Sequence, residues 1–309
     1  MSIVKINELD PDIIPPISSK FQDPNYNGGA KIVVVGKPGC FAPGTEIMMH
    51  NGTIKKVEDV IIGDKLMGDD STVRNVMDLC HNKEMMYRIT PKKGDTYVVN
   101  ENHILSLKCT GYNNIPKGEL LDITVKDFLN KPETFQNRYK WYRKSVDFPE
   151  KDVTLDPYLL GYWLGDGTSS CAQITTADEE IINTFTDKLA EMQLFLSKSN
   201  SPPYRYQIKQ ENFSKSNHQF LNSLRQYDLI KNKHIPHDYK VNSRENRLQL
   251  LAGILDSDGY YDHRARGFDI VQKNERLLDD IIYVSRSLGF AAYKKECTKR
   301  CPLNYVIAI

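Results

Sequence analysis

The sequence has few cysteines, no long apolar run and almost no net charge. Its six cysteines are scattered without paired CxxC spacing, so neither a disulfide framework nor a zinc site is indicated. No apolar run approaches the roughly 20 residues of a membrane span. The start of the chain also lacks the basic and apolar segments of a secretion signal. We therefore expect a cytoplasmic or nuclear protein that has no membrane partner.

Length and local charge indicate a multidomain protein with a polyanionic partner. The chain has 309 residues, more than the roughly 100 to 200 of a single domain. Its net charge is only +1, yet residues 126–144 hold six Lys or Arg against two Asp or Glu, and residues 205–247 hold nine against four. Aromatic residues lie in or beside both segments, which suits phosphate contacts and base stacking on nucleic acid. A solvated basic face is the alternative.

Residues 1–39 differ from the rest of the chain and end in an interrupted motif. A loose segment rich in Pro and Asn leads into the β-branched run KIVVV and then into GKPG. A phosphate-binding loop needs the pattern GxxxxGK[ST], and residues 36–39 supply only its first four positions. After Cys40 the pattern stops, so this chain forms no ATP site. We interpret residues 1–39 as a host segment whose P-loop is interrupted at its fifth position; an ordinary strand and turn is the alternative.

From Cys40 onward the sequence has the leading Cys, the strand-like run TEIMM, a turn at Asn51-Gly52, and the segment IGD before a further strand. This succession resembles the first conserved block of the Hint (hedgehog and intein) family. Asn-Gly between two apolar runs is a strong hairpin signal. About sixty residues later, TYVVNENHILSL resembles the second block of the family, with His103 as its histidine. The resemblance implies an all-β splicing domain, whose N-terminal part we assign to residues 40–110.

This resemblance implies a chemical role for two residues in particular. The Cys40 thiolate would attack the carbonyl of Gly39 in an N-to-S acyl shift, which converts the peptide bond into a thioester. His103 would donate a proton to the amide nitrogen, which then leaves more easily. The family usually has Thr three residues before this His, whereas here the position holds Asn100. Its side-chain amide can still form a hydrogen bond, so its role stays open.

The end of the chain differs from that of the family. Family members end in a histidine, then Asn, then Cys, Ser or Thr, whereas this chain stops at NYVIAI. We expect a fragment or a truncated gene product in which the splicing chemistry is incomplete.

Two segments, LLGYWLGDG at residues 159–167 and LAGILDSDG at residues 251–259, resemble LAGLIDADG motifs. The similarity continues beyond the motifs at identical intervals: Ile174, Asp178, Ile181, Ile182 and Phe185 match Ile270, Asn274, Leu277, Leu278 and Ile281. Each copy predicts a helix, a tight turn, a strand and an amphipathic helix, with Asp156-Pro157 beginning the first. Residues 151–309 therefore resemble a pseudo-two-fold α+β homing endonuclease.

The motif residues themselves suggest how such an endonuclease works. Gly161 and Gly253 lack side chains, so the two motif helices can pack with their backbones close together. Asp166 and Asp258 would then lie side by side at the ends of these helices. Paired carboxylates of this kind favour Mg²⁺ over a soft metal. An Asp-Gly pair that merely terminates a helix is the alternative for each copy.

The resemblance also implies basic residues near the metal centre. The segment KNKHIP resembles the family's Lys-x-Ile-Pro element, which assigns the lysine role to Lys233. A second lysine should follow in the other repeat, but Pro302 occupies the expected position, and Lys299 is a weak substitute.

These observations predict an intein-encoded, Mg²⁺-dependent endonuclease that cuts both strands of DNA and is joined to a splicing domain. Its partner would be double-stranded DNA at the uninterrupted insertion site of the host gene, and one chain would act as a monomer. Residues 111–150 would form a basic linker or DNA-recognition region between the two domains. The alternative of a functional P-loop ATPase is excluded, because its phosphate-binding motif is interrupted. A DNA-binding relic that has lost cleavage remains the alternative.

Overall fold

The computed structural model describes residues 2–6, 39–81, 83–91, 94–111, 114–200, 202–210, 218–296 and 305–308. The chain divides into two compact units, residues 1–144 and 145–309. The motif residues 36–38 of the host segment and Lys299 lie outside the described residues. No helix in the described ranges is both long and apolar enough to cross a membrane.

The first unit is built from small antiparallel sheets. Its strands are β1 (Ser2–Ile6), β2 (Glu46–Met48), β3 (Ile54–Lys56), β4 (Lys65–Met67), β5 (Val73–Asn75), β6 (Met86–Thr90), β7 (Tyr97–Asn100), β8 (Ile104–Cys109), β9 (Leu120–Thr124) and β10 (Tyr139–Trp141). They form three-stranded sheets in the orders β1-β6-β7 and β10-β8-β9, and the hairpins β2-β3 and β4-β5. A 3-10 turn, Val57–Asp59, and two short helices, α1 (Val125–Leu129) and α2 (Glu133–Gln136), complete the unit.

The local sequence explains these strands. Gly52 has a φ of 79° in the turn between β2 and β3, and the Asn51 side chain accepts a hydrogen bond from the Thr53 amide. The predicted Asn-Gly hairpin is therefore confirmed. Strand β8 alternates exposed and buried residues along its whole length, as a strand with one face on a core must. Its buried face packs on Ile89, Val99 and Phe128.

The main part of residues 111–150, predicted as a basic linker or DNA-recognition region, belongs to the first unit. Strands β9 and β10 pair with β8 on either side, and α1 and α2 lie between them in the chain. Leu121, Ile123 and Phe128 pack on the core of the first unit, so apolar side chains hold residues 120–141 in place. The boundary between the units falls after Lys144. Because α1 and α2 belong to this unit, its described part is mainly β but not all-β.

The second unit contains two similar halves. The first half has α3 (Pro157–Asp166), β11 (Gln173–Thr175), α4 (Glu179–Glu191), β12 (Leu194–Lys198) and β13 (Arg205–Gln210). After α5 (Gln219–Gln226) and α6 (His237–Lys240), the second half has α7 (Arg244–Asp258), β14 (Gly259–Asp262), β15 (Gly267–Gln272), α8 (Glu275–Ser287), β16 (Tyr293–Glu296) and β17 (Tyr305–Ala308). The sheets have the orders β11-β13-β12 and β14-β15-β17-β16.

The predicted succession of helix, strand and helix is confirmed in both halves. Asp156 caps α3, since its side chain accepts a hydrogen bond from the Leu159 amide, and Pro157 begins the helix. One continuous apolar core of the unit includes residues from both halves, among them Trp163, Phe185, Leu250 and Ile281.

Helices α3 and α7 pack with their backbones in contact. A methyl group on Gly161 would overlap the carbonyl oxygen of Leu250, and one on Gly253 would overlap that of Tyr158. Both glycines are buried. The predicted role of the two glycines as points of close helix approach is therefore confirmed.

We expect Gly253→Ala to destabilise the second unit by about 2 kcal/mol or more, because separating packed helix backbones costs more than the helix propensity of Ala returns. Urea unfolding measures this difference. Glu245→Ala, on the exposed side of α7, is the matched control and should change stability by no more than about 0.5 kcal/mol. Equal stabilities of the two variants would contradict the close packing of α3 and α7.

Candidate active sites

The motif helices of the second unit each end at an acidic residue, α3 at Asp166 and α7 at Asp258. A methyl group on Gly165 would lie 3.2 Å from the carboxyl carbon of Asp258, so this carboxylate lies beside the end of α3. Partial burial, and then the charge of Asp166, raises the pKa of Asp258 to about 6. Partial burial also raises the pKa of Asp166, the more exposed of the two. The two carboxylates thus share one end of the helix pair.

Lys233 lies at the same end of the helix pair. Its Nζ donates hydrogen bonds to the carbonyl oxygens of Gly165, at 2.9 Å, and Gly167, at 2.7 Å. It also lies 5.2 Å from the centre of the Trp163 ring. Burial lowers the pKa of Lys233 to about 8, although the charges of both acids oppose this shift. A cation that binds the last carbonyls of a helix is favoured by the helix dipole.

The loop that carries Lys233 is fastened to helix α8 at two points. The side-chain amide of Asn274 donates a hydrogen bond to the Lys233 carbonyl oxygen at 2.6 Å, and its oxygen caps α8. Asp280, which is buried, accepts hydrogen bonds from the Ile235 amide at 2.9 Å and from Lys240 at 2.6 Å. From the sequence, Asn274 was identified only as a repeat position, and Asp280 was not singled out.

The donor set at this end fits a hard divalent cation. Two carboxylates with like charge lie at one end of the helix pair, and oxygen ligands suit Mg²⁺. Within the described ranges, no three His, Cys, Asp or Glu residues gather as a metal-binding group. The described chain therefore offers two acidic side chains here, Asp166 and Asp258, and the carbonyl oxygens of Gly165 and Gly167 are already bound by Lys233.

The basic segments are only partly available to a ligand. Arg247 is fully buried and donates hydrogen bonds to Val146 and Ser287, and Lys240 is paired with Asp280. Because such residues stabilise the second unit itself, the charge count for 205–247 overestimates its basic surface.

In the first unit, Lys140 lies directly opposite Lys108 on neighbouring strands, and both are exposed. Like charges in that position are unfavourable unless an anion lies near them.

The first unit brings together the residues of the predicted splicing junction. A methyl group on Gly39 would lie 2.8 Å from Nδ1 of His103, so the Gly39–Cys40 peptide lies beside this imidazole. The ring of Phe41 packs on His103 at 4.5 Å. Burial lowers the pKa of His103, which favours the neutral imidazole. Its buried Nδ1 has no hydrogen-bond partner among the described residues.

Asn100 also binds the junction, through hydrogen bonds to Cys40. Its side-chain oxygen accepts a hydrogen bond from the Cys40 backbone amide at 3.0 Å, and the Asn100 backbone amide donates to the Cys40 carbonyl oxygen at 3.1 Å. The side chain is fully buried and donates from Nδ2 to the Glu84 carboxylate at 2.7 Å. Burial, and then the charges of Glu84 and Cys80, raises the pKa of Cys40. Sequence reasoning left Asn100 open and missed Glu84.

Two family models match the chain. The Hint model associated with homing endonucleases matches residues 40–129, beginning at Cys40, and the homing endonuclease model matches residues 234–304. Each model matches less than half of the chain, and the two matched regions do not overlap. The Hint match extends past residue 110, the boundary expected from the sequence, and includes β9 and α1.

The chain is also similar to parts of longer proteins. It is 35% identical over 158 residues to the replicative DNA helicase DnaB of Mycobacterium intracellulare. The aligned region covers 51% of this chain and 23% of that relative. It is 24% identical over 285 residues to the ATP-dependent DNA helicase Hel308 of Methanocaldococcus jannaschii, which covers 87% of this chain and 22% of the relative. The chain thus spans less than a quarter of the length of either relative.

Among solved structures, variants of the homing endonuclease I-DmoI are similar to the chain, with 16% identity and a TM-score of 0.37. That similarity covers 50% of this chain and 82% of the other.

Proposed function

We propose that the chain is an intein-encoded, site-specific endonuclease that cuts both strands of DNA, joined to a splicing region that activates the Gly39–Cys40 bond. The observation that carries the endonuclease proposal is the pair Asp166 and Asp258 at the touching ends of α3 and α7. A cut in two strands needs an acid for each strand at one axis, and the two motif copies supply both from one chain. A monomer is therefore sufficient.

Asp166 and Asp258 are the residues that would hold Mg²⁺, which when bound activates water and stabilises charge on a phosphate. The chain's own residues prepare the site for this ion. Burial raises the pKa of both acids, and the charge of Asp166 raises that of Asp258 further, so a divalent cation would offset a cost that the folded protein otherwise bears. Lys233 adds a cation that is held by backbone carbonyls beside the acids. Exposed lysines of the Hint region, such as Lys108 and Lys140, would bind DNA phosphates.

In the splicing reaction, the Cys40 sulfur would bond to the Gly39 carbonyl carbon, and the bond between that carbon and the Cys40 nitrogen would break. The thiol proton ends on the nitrogen, so the products are a thioester and a free amine. His103 lies beside this peptide and is suited to carry the proton. Its lowered pKa and its buried Nδ1 support that role.

A nicking assay on supercoiled DNA that contains the uninterrupted host site tests the endonuclease proposal. With Mg²⁺, the chain should convert the plasmid to linear DNA, and chelation of the metal should stop the reaction without releasing the DNA. Binding without any nick, at every Mg²⁺ concentration, would instead support the DNA-binding relic.

We expect kcat/KM for DNA cleavage to rise with pH as Asp258 loses its proton near pH 6, and to fall above about pH 8 as Lys233 loses its charge. Carboxylates must be ionised to bind a metal, whereas Lys233 acts as a cation. In Lys233→Arg, kcat/KM should still rise near pH 6 (the acidic limb of the pH–rate profile). It should no longer fall above about pH 8 (the alkaline limb), because a guanidinium stays protonated. Loss of both limbs in this variant, or an unchanged alkaline limb, would contradict the assignment. A pH series of initial rates provides the measurement.

A further inference from the structure

Glu84 lies outside both conserved blocks of the Hint region, yet it is connected to the scissile peptide. Its carboxylate accepts a hydrogen bond from Nδ2 of Asn100, and the oxygen of the same amide accepts one from the Cys40 N–H. Three groups therefore form a chain from an exposed carboxylate to the nitrogen that must leave Gly39. The middle member, Asn100, is fully buried, so its amide has no access to water that could replace either partner.

An asparagine amide can bind in two orientations, and only one is useful here. A carboxylate can only accept hydrogen bonds, and the Cys40 N–H can only donate. If the amide flipped, its oxygen would face the Glu84 carboxylate and its NH₂ group would face the Cys40 N–H, so both contacts would become repulsive. Glu84 therefore selects the orientation in which the Asn100 oxygen faces the scissile nitrogen.

We propose that Glu84 is a positioning residue for the reaction at the Gly39–Cys40 bond: its carboxylate orients and polarises the Asn100 amide that binds the leaving nitrogen. This inference rests on the proposed splicing chemistry. It adds a residue from the segment before β6, where the sequence has no family motif.

The hydrogen bond from Cys40 to Asn100 strengthens during the reaction. As the Cys40 sulfur bonds to the Gly39 carbon, the carbonyl oxygen takes a negative charge and the thiol proton moves to the nitrogen. The nitrogen then carries a positive charge until the carbon–nitrogen bond breaks and a neutral amine leaves. A charged N–H is a stronger donor than a neutral one, so the Asn100 oxygen stabilises the transition state more than the ground state. A neighbouring carboxylate on Nδ2 makes this oxygen a better acceptor, because linked hydrogen bonds polarise one another.

The negative charge of Glu84 also has an opposite effect. Burial, Glu84 and Cys80 together disfavour the Cys40 thiolate, and the neutral His103 beside the peptide supplies no positive charge. Removing the charge of Glu84 therefore lowers the Cys40 pKa and makes the thiolate available at lower pH. The effect of Glu84 on the orientation of the Asn100 amide can thus be separated from the effect of its charge on Cys40, by substitutions that change one and not the other.

Hydroxylamine release of residues 1–39 from the full chain, measured across pH, tests the proposal. Hydroxylamine attacks the Gly39 thioester, so it yields a Gly39 hydroxamate and frees the Cys40 thiol. Glu84→Gln keeps an acceptor for Asn100 and should hold the high-pH rate within about threefold of wild type, with the rising limb of the pH profile shifted to lower pH. Glu84→Ala removes the acceptor and should lower the high-pH rate about tenfold.

Glu84→Lys should lower the rate of release further than Glu84→Ala does. A lysine donates to the Asn100 oxygen and draws it away from the Cys40 N–H, so the high-pH rate should fall further although the thiolate forms more readily. Glu133, exposed on α2, provides matched controls: its Gln and Ala variants should behave as wild type. Thermal unfolding checks that each variant is folded.

Equal high-pH rates in wild type, Glu84→Gln and Glu84→Ala would overturn the proposal, as would an equal loss in the Gln and Ala variants. Site-resolved alkylation of Cys40 distinguishes this failure from that of the splicing chemistry, since the thiol titrates whether or not a thioester forms. If wild type releases nothing while alkylation still responds to Glu84, the splicing proposal fails and the positioning role with it.

Discussion

Asp258→Asn should lower the rate of DNA cleavage by at least about a thousandfold and leave DNA affinity within a few-fold of wild type. Loss of a metal-held charge removes several kcal/mol of transition-state stabilisation, whereas the side chain contributes no positive charge to DNA binding. Asp166→Asn should behave in the same way, because the two acids meet at the ends of α3 and α7. Single-turnover cleavage and a gel-shift titration with Mg²⁺ measure the two quantities.

The same substitution should stabilise the metal-free protein. Burial and Asp166 raise the pKa of Asp258 to about 6, above its value in an unfolded chain. The folded state therefore penalises the ionised carboxylate; the penalty is complete above about pH 6 and disappears below about pH 4. In chelator at about pH 7.5, Asp258→Asn should raise the free energy of unfolding by about 1 to 3 kcal/mol, and near pH 4 the gain should vanish.

Asp262→Asn is a matched control for this gain. Hydrogen bonds from the Ala265 and Arg264 amides lower the pKa of the Asp262 carboxyl, so its ionised form is favoured in the folded state and no gain is expected. An Asp258→Asn variant that cleaves DNA at the wild-type rate, or that is less stable than wild type in chelator at about pH 7.5, would contradict the role assigned to this acid.

Cys40→Ala should abolish the thiol-dependent release of residues 1–39. Alanine has no nucleophile, so the Gly39 carbonyl cannot form a thioester. His103→Ala should slow release by at least about a hundredfold, as expected when a general acid beside the bond is lost. The measurement is the appearance of the fragment after hydroxylamine or a thiol reagent is added.

Cys80→Ala is the control for this experiment. Cys80 is an exposed free thiol outside the junction, so its removal should leave release intact. Equal release from Cys40→Ala and wild type would show that the bond breaks by ordinary hydrolysis, and the splicing proposal would then fail.

The features that could be predicted from the sequence are those encoded by a short, continuous motif. The two motif helices, the Asp156 cap and the glycine contacts follow from short patterns whose physical reason is contained in the pattern itself. The repeat places both acids at helix ends without knowledge of the fold. Lys233 came from a short motif, and it lies beside those acids.

Other residues could not be found because their partners are distant in the sequence. Asn274 binds Lys233 across 41 positions and Asp280 binds Ile235 across 45, and neither contact leaves a local pattern. Glu84 is similar, since its partner Asn100 follows 16 positions later. For residues 111–150, net charge suggested a basic linker or DNA-recognition region, but alternating apolar residues such as Leu121 and Ile123 pack in the first unit.

The most direct test of the central claim compares two alleles of the host gene. The proposal places a continuous site across the P-loop codons of the uninterrupted gene, which the interrupted gene would have divided at the codon for Cys40. Incubated with this chain and Mg²⁺, the uninterrupted allele should be cut at the insertion point and the interrupted allele should remain intact. Equal cleavage of both alleles, or cleavage of the uninterrupted allele only at other positions, would contradict the account.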